Sequence, residues 1–517
     1  MSQEPKIWDL LEEQVTARPS DLIALDDRGK EATFADMHDT ALRVAAGLAE
    51  LGVKNGSVVS WQLPTWIEAA TLTLALSRLG AVQNPLVPIL GLREVEFICR
   101  QAGTDLLVVP GTWRGFDYAE MATKIASAPG GPRILVAARS LPEGDPKDLP
   151  ARDGSVTPTW YFYTSGTTAD PKGAIHSDDT LVAATRGFHG ELGITERDRL
   201  SMILPLTHVG GIIHLITSLE KGCALVFADV FHPDRTTRQL RDQGATVLPG
   251  AVPFLQAFFG FQDRHPELDP LFPAARMMLH GGSSKPPRSH YEAKERLGLP
   301  IVSGYGMTEC PMSTFGSPED ADEDVATKEG RAAPGIEIAI VRADGERAAT
   351  GEEGEVRVRG AHLMKGYVDV SLEEDAFDEM GFFRSGDLGR LDERGYLTID
   401  GRLKDIIIRN MENISAIELE NLLYTHPRVA AVAVIGIPNV RTGEHVCAVV
   451  EPSDPEDPPT LEELNKHLLA TGLSNRKLPE QLELVEELPR NAMEKVMKTE
   501  LRSRFQPREP HADRAGG

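Results

Sequence analysis

The sequence predicts an α/β protein: a large N-terminal domain of helix-covered sheets over residues 1–403, followed by a small α+β domain over residues 404–517. Three observations carry this. Residues 7–109 alternate short apolar runs with amphipathic stretches, the pattern of a parallel sheet covered by helices. The pattern restarts after Gly401-Arg402-Leu403-Lys404-Asp405 as a compact unit of about a hundred residues, a normal domain size. A chain of 517 residues also exceeds what one hydrophobic core holds.

The first elements follow in order. Ile7, Leu10, Leu11 and Val15 lie at helical spacing. Residues 22–25 read as a short strand, and Thr33-Phe34 leads into an amphipathic helix over 35–51. Val58-Val59-Ser60-Trp61-Gln62 reads as a buried strand, and 67–79 as a helix stopped by Gly80. A strand over 81–86, a helix over 94–101 and a strand over 105–109 come next. Residues 126–158, rich in Pro, Gly, Asp and Arg, read as a surface connection with one strand at 134–137. The second domain reads as a strand (406–409), a helix (416–423), strands (429–435 and 446–450), a helix (461–469) and a strand (482–485).

Composition narrows the function. The 41% hydrophobic and 26% charged content is that of a soluble globular protein. A net charge of −24 argues against a nucleic-acid surface and against adsorption to an anionic membrane. The most apolar stretch, 67–90, is interrupted by Glu68, Arg78 and Asn84, so no membrane span is expected. The N-terminus lacks a signal-peptide pattern, and four scattered cysteines (Cys99, Cys223, Cys310, Cys447) suggest neither zinc nor a disulfide framework. A cytoplasmic location is expected.

Residues 163–173 read Tyr-Thr-Ser-Gly-Thr-Thr-Ala-Asp-Pro-Lys-Gly. The hydroxyls of Thr164, Ser165, Thr167 and Thr168, the backbone at Gly166 and the cation of Lys172 suit an anion such as phosphate. The same residues also make ordinary turns. In Ile301-Val302-Ser303-Gly304-Tyr305-Gly306-Met307-Thr308-Glu309 a strand delivers an aromatic ring, glycines, a hydroxyl and a carboxylate together. Tyr305 could stack on a base, and Glu309 could hold a hard cation such as Mg²⁺. A Thr-Glu pair is otherwise more often a helix start. Met277-Met278-Leu279-His280-Gly281-Gly282-Ser283-Ser284 is a strand running into a glycine turn. His208, in Leu204-Pro205-Leu206-Thr207-His208-Val209-Gly210-Gly211, reads as a histidine at the end of an apolar strand, and such residues are usually core. Asp387 sits in Arg384-Ser385-Gly386-Asp387-Leu388, which reads as a glycine turn.

The 163–173 loop resembles the phosphate loop of the adenylate-forming superfamily, which comprises acyl-CoA synthetases, firefly luciferase and peptide-synthetase adenylation domains. The resemblance covers residues 7–505 and is closest in wording to bacterial acyl-CoA ligases of the cyclohexanecarboxylate type. It implies ATP, Mg²⁺ and CoA, with a small-molecule carboxylic acid as substrate, read as bulky, alicyclic or medium-chain. It assigns the phosphates to Thr164, Ser165, Gly166, Thr167, Thr168 and Lys172, and the adenine to Gly281, Gly282, Ser283, Tyr305 and Gly306. Thr308 would meet the α-phosphate and Glu309 the Mg²⁺. Asp387 would take the ribose, Arg402 would touch the nucleotide, and His208 would stand at the mouth of the acid pocket. Lys404 becomes the hinge of a mobile small domain, and Lys495, in Leu488-Pro489-Arg490-Asn491-Ala492-Met493-Glu494-Lys495, its catalytic lysine.

Four positions depart from the family's wording: Ala169, Glu494, Asn410 and Met411 each stand where glycine is usual. Asn410 and Met411 would line the acceptor channel, so CoA and an amine both stay open as acceptors. The rival readings are an amide ligase of the coronafacate-ligase kind and a degenerate ligand-binding protein. A serine hydrolase lacks its G-x-S-x-G elbow. A homodimer is kept as a candidate assembly, and the sequence does not fix it.

Overall fold

The computed structural model describes residues 5–152, 159–164, 171–282, 285–409, 412–439, 441–491 and 494–505, and only the backbone of 412 and 413. The large domain holds two seven-stranded sheets. One runs Ile301–Gly304, Met277–Gly281, Val247–Pro249, Arg199–Met202, Ala224–Phe227, Leu22–Asp26, Glu31–Thr33. All its pairs are parallel except the last. The other runs Gly366–Tyr367, Lys172–Ser177, Thr159–Thr164, Val82–Pro85, Val58–Trp61, Leu106–Val109, Arg133–Val136. Its first two pairs are antiparallel and the rest parallel. The expected parallel arrangement therefore ends in a hairpin where the 163–173 loop turns the chain back. A four-stranded antiparallel meander follows: Ile336–Val341, Gly354–Gly360, Phe383–Leu391, Leu397–Arg402.

Local chemistry accounts for the helices between the sheets. Phe34–Glu50 starts at a capping box in which Thr33 Oγ1 accepts from Asp36 N at 3.1 Å. Ile67–Leu79 is buried on nearly every side, and between Glu68 and Arg78 it carries only apolar and small hydroxyl residues. It stops at Gly80, whose φ of 70° is the left-handed C-cap expected there. These helices, Ile7–Ala17 and Val209–Lys221 share one core with Trp8, Trp61 and Trp160, each fully buried.

The smaller C-terminal domain is a five-stranded sheet with helices Ala416–Leu423, Leu461–Ala470 and Lys498–Phe505. Its long hairpin, Val429–Asn439 with Gly443–Pro452, extends beyond the shorter strands expected. Among the described residues no helix is long and apolar enough to cross a membrane.

The N-terminal helix is pinned to the hairpin that carries the 163–173 loop. The Asp178 carboxylate is fully buried and accepts from Trp160 Nε1 at 2.8 Å and from Ile7 N at 3.0 Å. Burial pushes its pKa up to about 6, against the pull of those donors and of Lys6. Asp178→Ala leaves both donors buried without an acceptor, and a loss of about 2 kcal/mol in urea unfolding is expected. Asp178→Asn, which keeps one acceptor oxygen, should lose less. Equal stability of Asp178→Ala and the parent would show that the pin contributes nothing.

Candidate active site

Strands of the large domain and the start of the small one converge on Asp387. Its carboxylate is buried; Oδ2 accepts from the Tyr305 hydroxyl at 2.7 Å and Oδ1 pairs with Arg402 Nε at 2.6 Å. Asp387 and Arg402 face each other across the Phe383–Leu391 and Leu397–Arg402 strands. The expected glycine turn is instead a kink inside a strand: Gly386, with φ of 71°, lies within Phe383–Leu391. Burial raises the Tyr305 pKa well above 10, so its hydroxyl stays a donor to Asp387. Ionised carboxylates accept several hydrogen bonds, so Asp387 keeps lone pairs for a diol.

Lys495 shares this field. Burial, then Arg402, push its pKa down to about 8, with Lys404 adding to the effect and Asp387 and Asp405 opposing it. Lys404 follows Arg402 in the short 3₁₀ turn Leu403–Asp405, where Asp405 pairs with Arg502 at 2.8 Å. Lys495 is fixed locally: its N–H donates to Asn491 Oδ1 at 3.0 Å and its carbonyl accepts from Asn491 N at 2.9 Å. The small domain meets the large one here, with Ser415 Oγ donating to the Asp400 carbonyl at 2.6 Å.

Thr308 and Glu309 are held from two sides. His176 is fully buried, and desolvation lowers its pKa to about 4, so the ring is neutral. Nε2 contacts the Thr308 carbonyl at 2.8 Å, and a carbonyl only accepts, so Nε2 carries the hydrogen. Nδ1 then accepts from the Thr180 hydroxyl at 3.0 Å. The Tyr367 hydroxyl donates to Glu309 Oε1 at 2.9 Å, and Met364 N donates to the Glu309 carbonyl at 2.8 Å. Among the described residues no three His, Cys, Asp or Glu side chains cluster as a metal cage. A single carboxylate still suits Mg²⁺, which keeps waters and takes phosphate oxygens as ligands.

Gly281 and Gly304 are register partners at the carboxyl ends of parallel strands, where α/β sheets bind ligands. Gly282 has φ of 78° and open space beside it, as a left-handed turn at a ligand edge requires. Gly306 has a packing reason instead: a Cβ there would lie 2.6 Å from Met312 N. Thr164 and Lys172 pair across the hairpin base. Ser165, Gly166, Thr167, Thr168, Ala169, Ser283, Asn410 and Met411 lie outside the described residues.

His208 corrects the sequence reading. It does not end a strand but N-caps helix Val209–Lys221, its Nδ1 accepting from Gly210 N at 3.1 Å. Desolvation lowers its pKa to about 4, leaving a neutral ring. The loop before it is gripped by Thr65, whose hydroxyl donates to the Leu204 carbonyl at 3.3 Å and accepts from Leu206 N at 3.2 Å.

Comparison with known proteins decides the family. A model of AMP-binding enzymes matches residues 11–368, and one of the AMP-binding enzyme C-terminal domain matches residues 418–495. The chain belongs to the AMP-binding enzyme family. It is 29% identical over 515 residues to the medium-chain fatty-acid–CoA ligase of Escherichia coli (strain K12), covering 96% of this chain and 90% of the relative. It matches ATP-bound MatB from Rhodopseudomonas palustris with a TM-score of 0.85 at 28% identity, over 97% and 99% of the two chains. It also matches the amide bond synthetase McbA from Marinactinospora thermotolerans, with a TM-score of 0.83 at 26% identity over 97% and 100%. The family, the fold and the enzyme class expected from the sequence are borne out.

Tyr305, Asp387, Arg402, Lys404 and Lys495 lie together, and Thr308 and Glu309 are on the same segment as Tyr305. Sequence reading missed His176, Tyr367 and Thr65. Each makes hydrogen bonds to residues distant in sequence, which leave no local pattern. The strand Lys172–Ser177 that carries His176 begins with the last lysine of the loop motif, and that adjacency was the one available signal.

Glu494 occupies the left-handed region at φ of 59°, where the family's usual glycine would sit without strain. Its carboxyl is also pushed up by burial. Glu494→Gly should therefore stabilise the small domain by about 1 kcal/mol, the size of the left-handed penalty less glycine's extra entropy. Denaturant unfolding of the full chain reads this, and a lower midpoint would show that Glu494's side chain stabilises more than its backbone costs.

Proposed function

We propose that the protein joins a carboxylic acid to CoA in two steps at the expense of ATP. The observation that carries this reading is the convergence of Lys495 with Arg402 and Asp387, at the junction of a matched adenylation region and a matched C-terminal region. In the first step a carboxylate oxygen attacks the α-phosphorus of ATP. The P–O bond to pyrophosphate breaks, and an acyl-AMP forms. No protein nucleophile is used; the chain aligns two anions and offsets their charge. Lys495 bridges the carboxylate and the α-phosphate as an ammonium. Thr308 bonds the α-phosphate, and the 164–172 loop with Lys172 holds the outer phosphates. Asp387 accepts from the ribose hydroxyls, Arg402 flanks them, and Tyr305 with Gly281, Gly282 and Ser283 forms the adenine side. Glu309 is the residue that holds Mg²⁺, which supplies charge neutralisation on the phosphates. In the second step the 404–517 domain turns about Lys404, withdraws Lys495, and admits the CoA thiol past Asn410 and Met411. The thiol sulfur displaces AMP and forms the thioester.

The acid is read as medium-chain, alicyclic or otherwise bulky. The E. coli relative, a medium-chain ligase, supports the first. The small residues Gly210, Gly211, Ala251 and Gly281, which the family resemblance puts beside the acid pocket, support the others. A cytoplasmic enzyme fits the composition. A second reading, transfer of the acyl group to an amine, is favoured by two observations: the likeness to McbA, and Met411 in place of a small residue.

Two measurements test this. Lys495 acts as an ammonium and titrates near 8, so kcat/KM for acyl-AMP formation should fall as pH rises through about 8. Lys495→Ala should abolish that half-reaction while thioester formation from supplied acyl-AMP persists; equal loss of both would remove the assigned role. Mass spectrometry of products from ATP, Mg²⁺ and a panel of linear, aromatic and alicyclic acids, with and without CoA, then names the acceptor. An acyl-CoA peak is expected, and acyl-AMP that ignores CoA and is captured by amines would replace this reading with the amide ligase.

A further inference from the structure

Two buried side chains outside the expected set make long-range contacts to the Thr308-Glu309 segment. We propose that His176 and Tyr367 are positioning residues that fix the Thr308 backbone and the Glu309 carboxylate at one setting relative to the phosphate loop. The inference rests on the reading of Glu309 as the carboxylate on the metal side of ATP.

The argument starts from one strand. Lys172–Ser177 begins at the last lysine of the loop and pairs on one edge with Thr159–Thr164, which enters that loop. On its other edge it pairs with Gly366–Tyr367, Ala174 opposite Tyr367 and Ile175 opposite Gly366. Flanking bonds extend this seam: Lys365 N donates to the Ile175 carbonyl at 2.7 Å and Val368 N to the Gly173 carbonyl at 2.8 Å. Both arms that reach the Thr308-Glu309 segment spring from this seam. His176 donates to the Thr308 carbonyl, and Tyr367 donates to Glu309 Oε1.

A carboxylate on a flexible side chain samples several rotamers and loses entropy when a cation selects one. Tyr367 makes that selection beforehand. Its ring is buried and its hydroxyl is spent on Oε1, so Glu309 presents its other oxygen in a defined direction. His176 fixes the peptide one residue earlier, which sets where the Glu309 Cα begins. The Lys172–Ser177 strand and the Glu309 carboxylate are therefore tied together through these two contacts.

The test uses the full chain and four variants. Tyr367→Phe keeps the ring and deletes the hydroxyl. His176→Leu deletes the N–H, and His176→Gln restores an N–H donor at a similar reach. Glu309→Gln tests the underlying reading. The readout is calorimetric binding of a non-hydrolysable ATP analogue as Mg²⁺ is varied, with the urea midpoint as a check on folding. Tyr367→Phe should raise the Mg²⁺ concentration for half-maximal binding about tenfold, the effect of one hydrogen bond to a charged group, and His176→Leu about fivefold, the effect of a neutral one. Binding without Mg²⁺ should stay within about twofold, and His176→Gln should recover most of the loss. Glu309→Gln must shift the same midpoint. If Glu309→Gln shifts it and Tyr367→Phe does not, the positioning role is overturned and the reading of Glu309 stands. If Glu309→Gln leaves it unmoved, that reading fails first. Equal weakening with and without Mg²⁺ in Tyr367→Phe would mark a structural residue only.

Discussion

The hydrogen bonding of one strand, Lys172–Ser177, constrains the rest of the large domain. It is the return arm of the loop hairpin, and every other link to that hairpin passes along it or its partner. Its first edge joins it to the mostly parallel sheet through Thr159–Thr164, which pairs with Val82–Pro85. Its second edge joins it to Gly366–Tyr367, just before the Phe383–Leu391 strand that presents Asp387. His176 reaches from it to the Thr308 carbonyl, and Asp178, immediately after it, pins the N-terminal helix. Lys172–Ser177 is thus hydrogen-bonded along both edges.

Charge is organised against the average. The chain carries −24 overall, yet burial and then Arg402 depress the protonation of both Lys404 and Lys495, and Lys404 adds to the effect on Lys495. Asp387 offsets part of this through its ion pair with Arg402, while its second oxygen is committed to Tyr305. A bulk negative field slows non-specific polyanion binding, and a local positive one restores it at a single place.

Much of this was legible in the sequence. Ile67–Leu79 was bounded by a broken apolar run and Gly80, and both limits hold. Ala416–Leu423 was equally clear, with Ser415 as its cap. The helices Asp178–Glu191, Pro233–Asp242 and Pro287–Leu297 escaped because each opens on residues that read equally as a turn, Asp178-Asp179, Pro233-Asp234 and Pro287-Arg288-Ser289. His208 was misplaced for a related reason: an apolar run before a histidine reads equally as a strand end or a helix start, and only the bond from Gly210 N distinguishes them. At the site, the residues with a motif were found and those with only a distant partner were not. Tyr367 is 58 residues from Glu309, and His176 is 132 from Thr308. No local pattern encodes such a pair.

The setting of Lys495 shows how the two regions depend on each other. Its ammonium is disfavoured first by burial and then by Arg402 and Lys404, and only partly favoured by Asp387 and Asp405. The junction therefore holds more positive charge than its own carboxylates balance. A polyphosphate brought against Arg402 and Lys495 reverses the sign of the interaction and raises the lysine's pKa, so nucleotide binding and seating of the small domain reinforce each other. Departure of pyrophosphate removes part of that anion and weakens the seat. Under the proposed mechanism this is the moment at which the domain must move, and the same electrostatics that favour the first step then release the second.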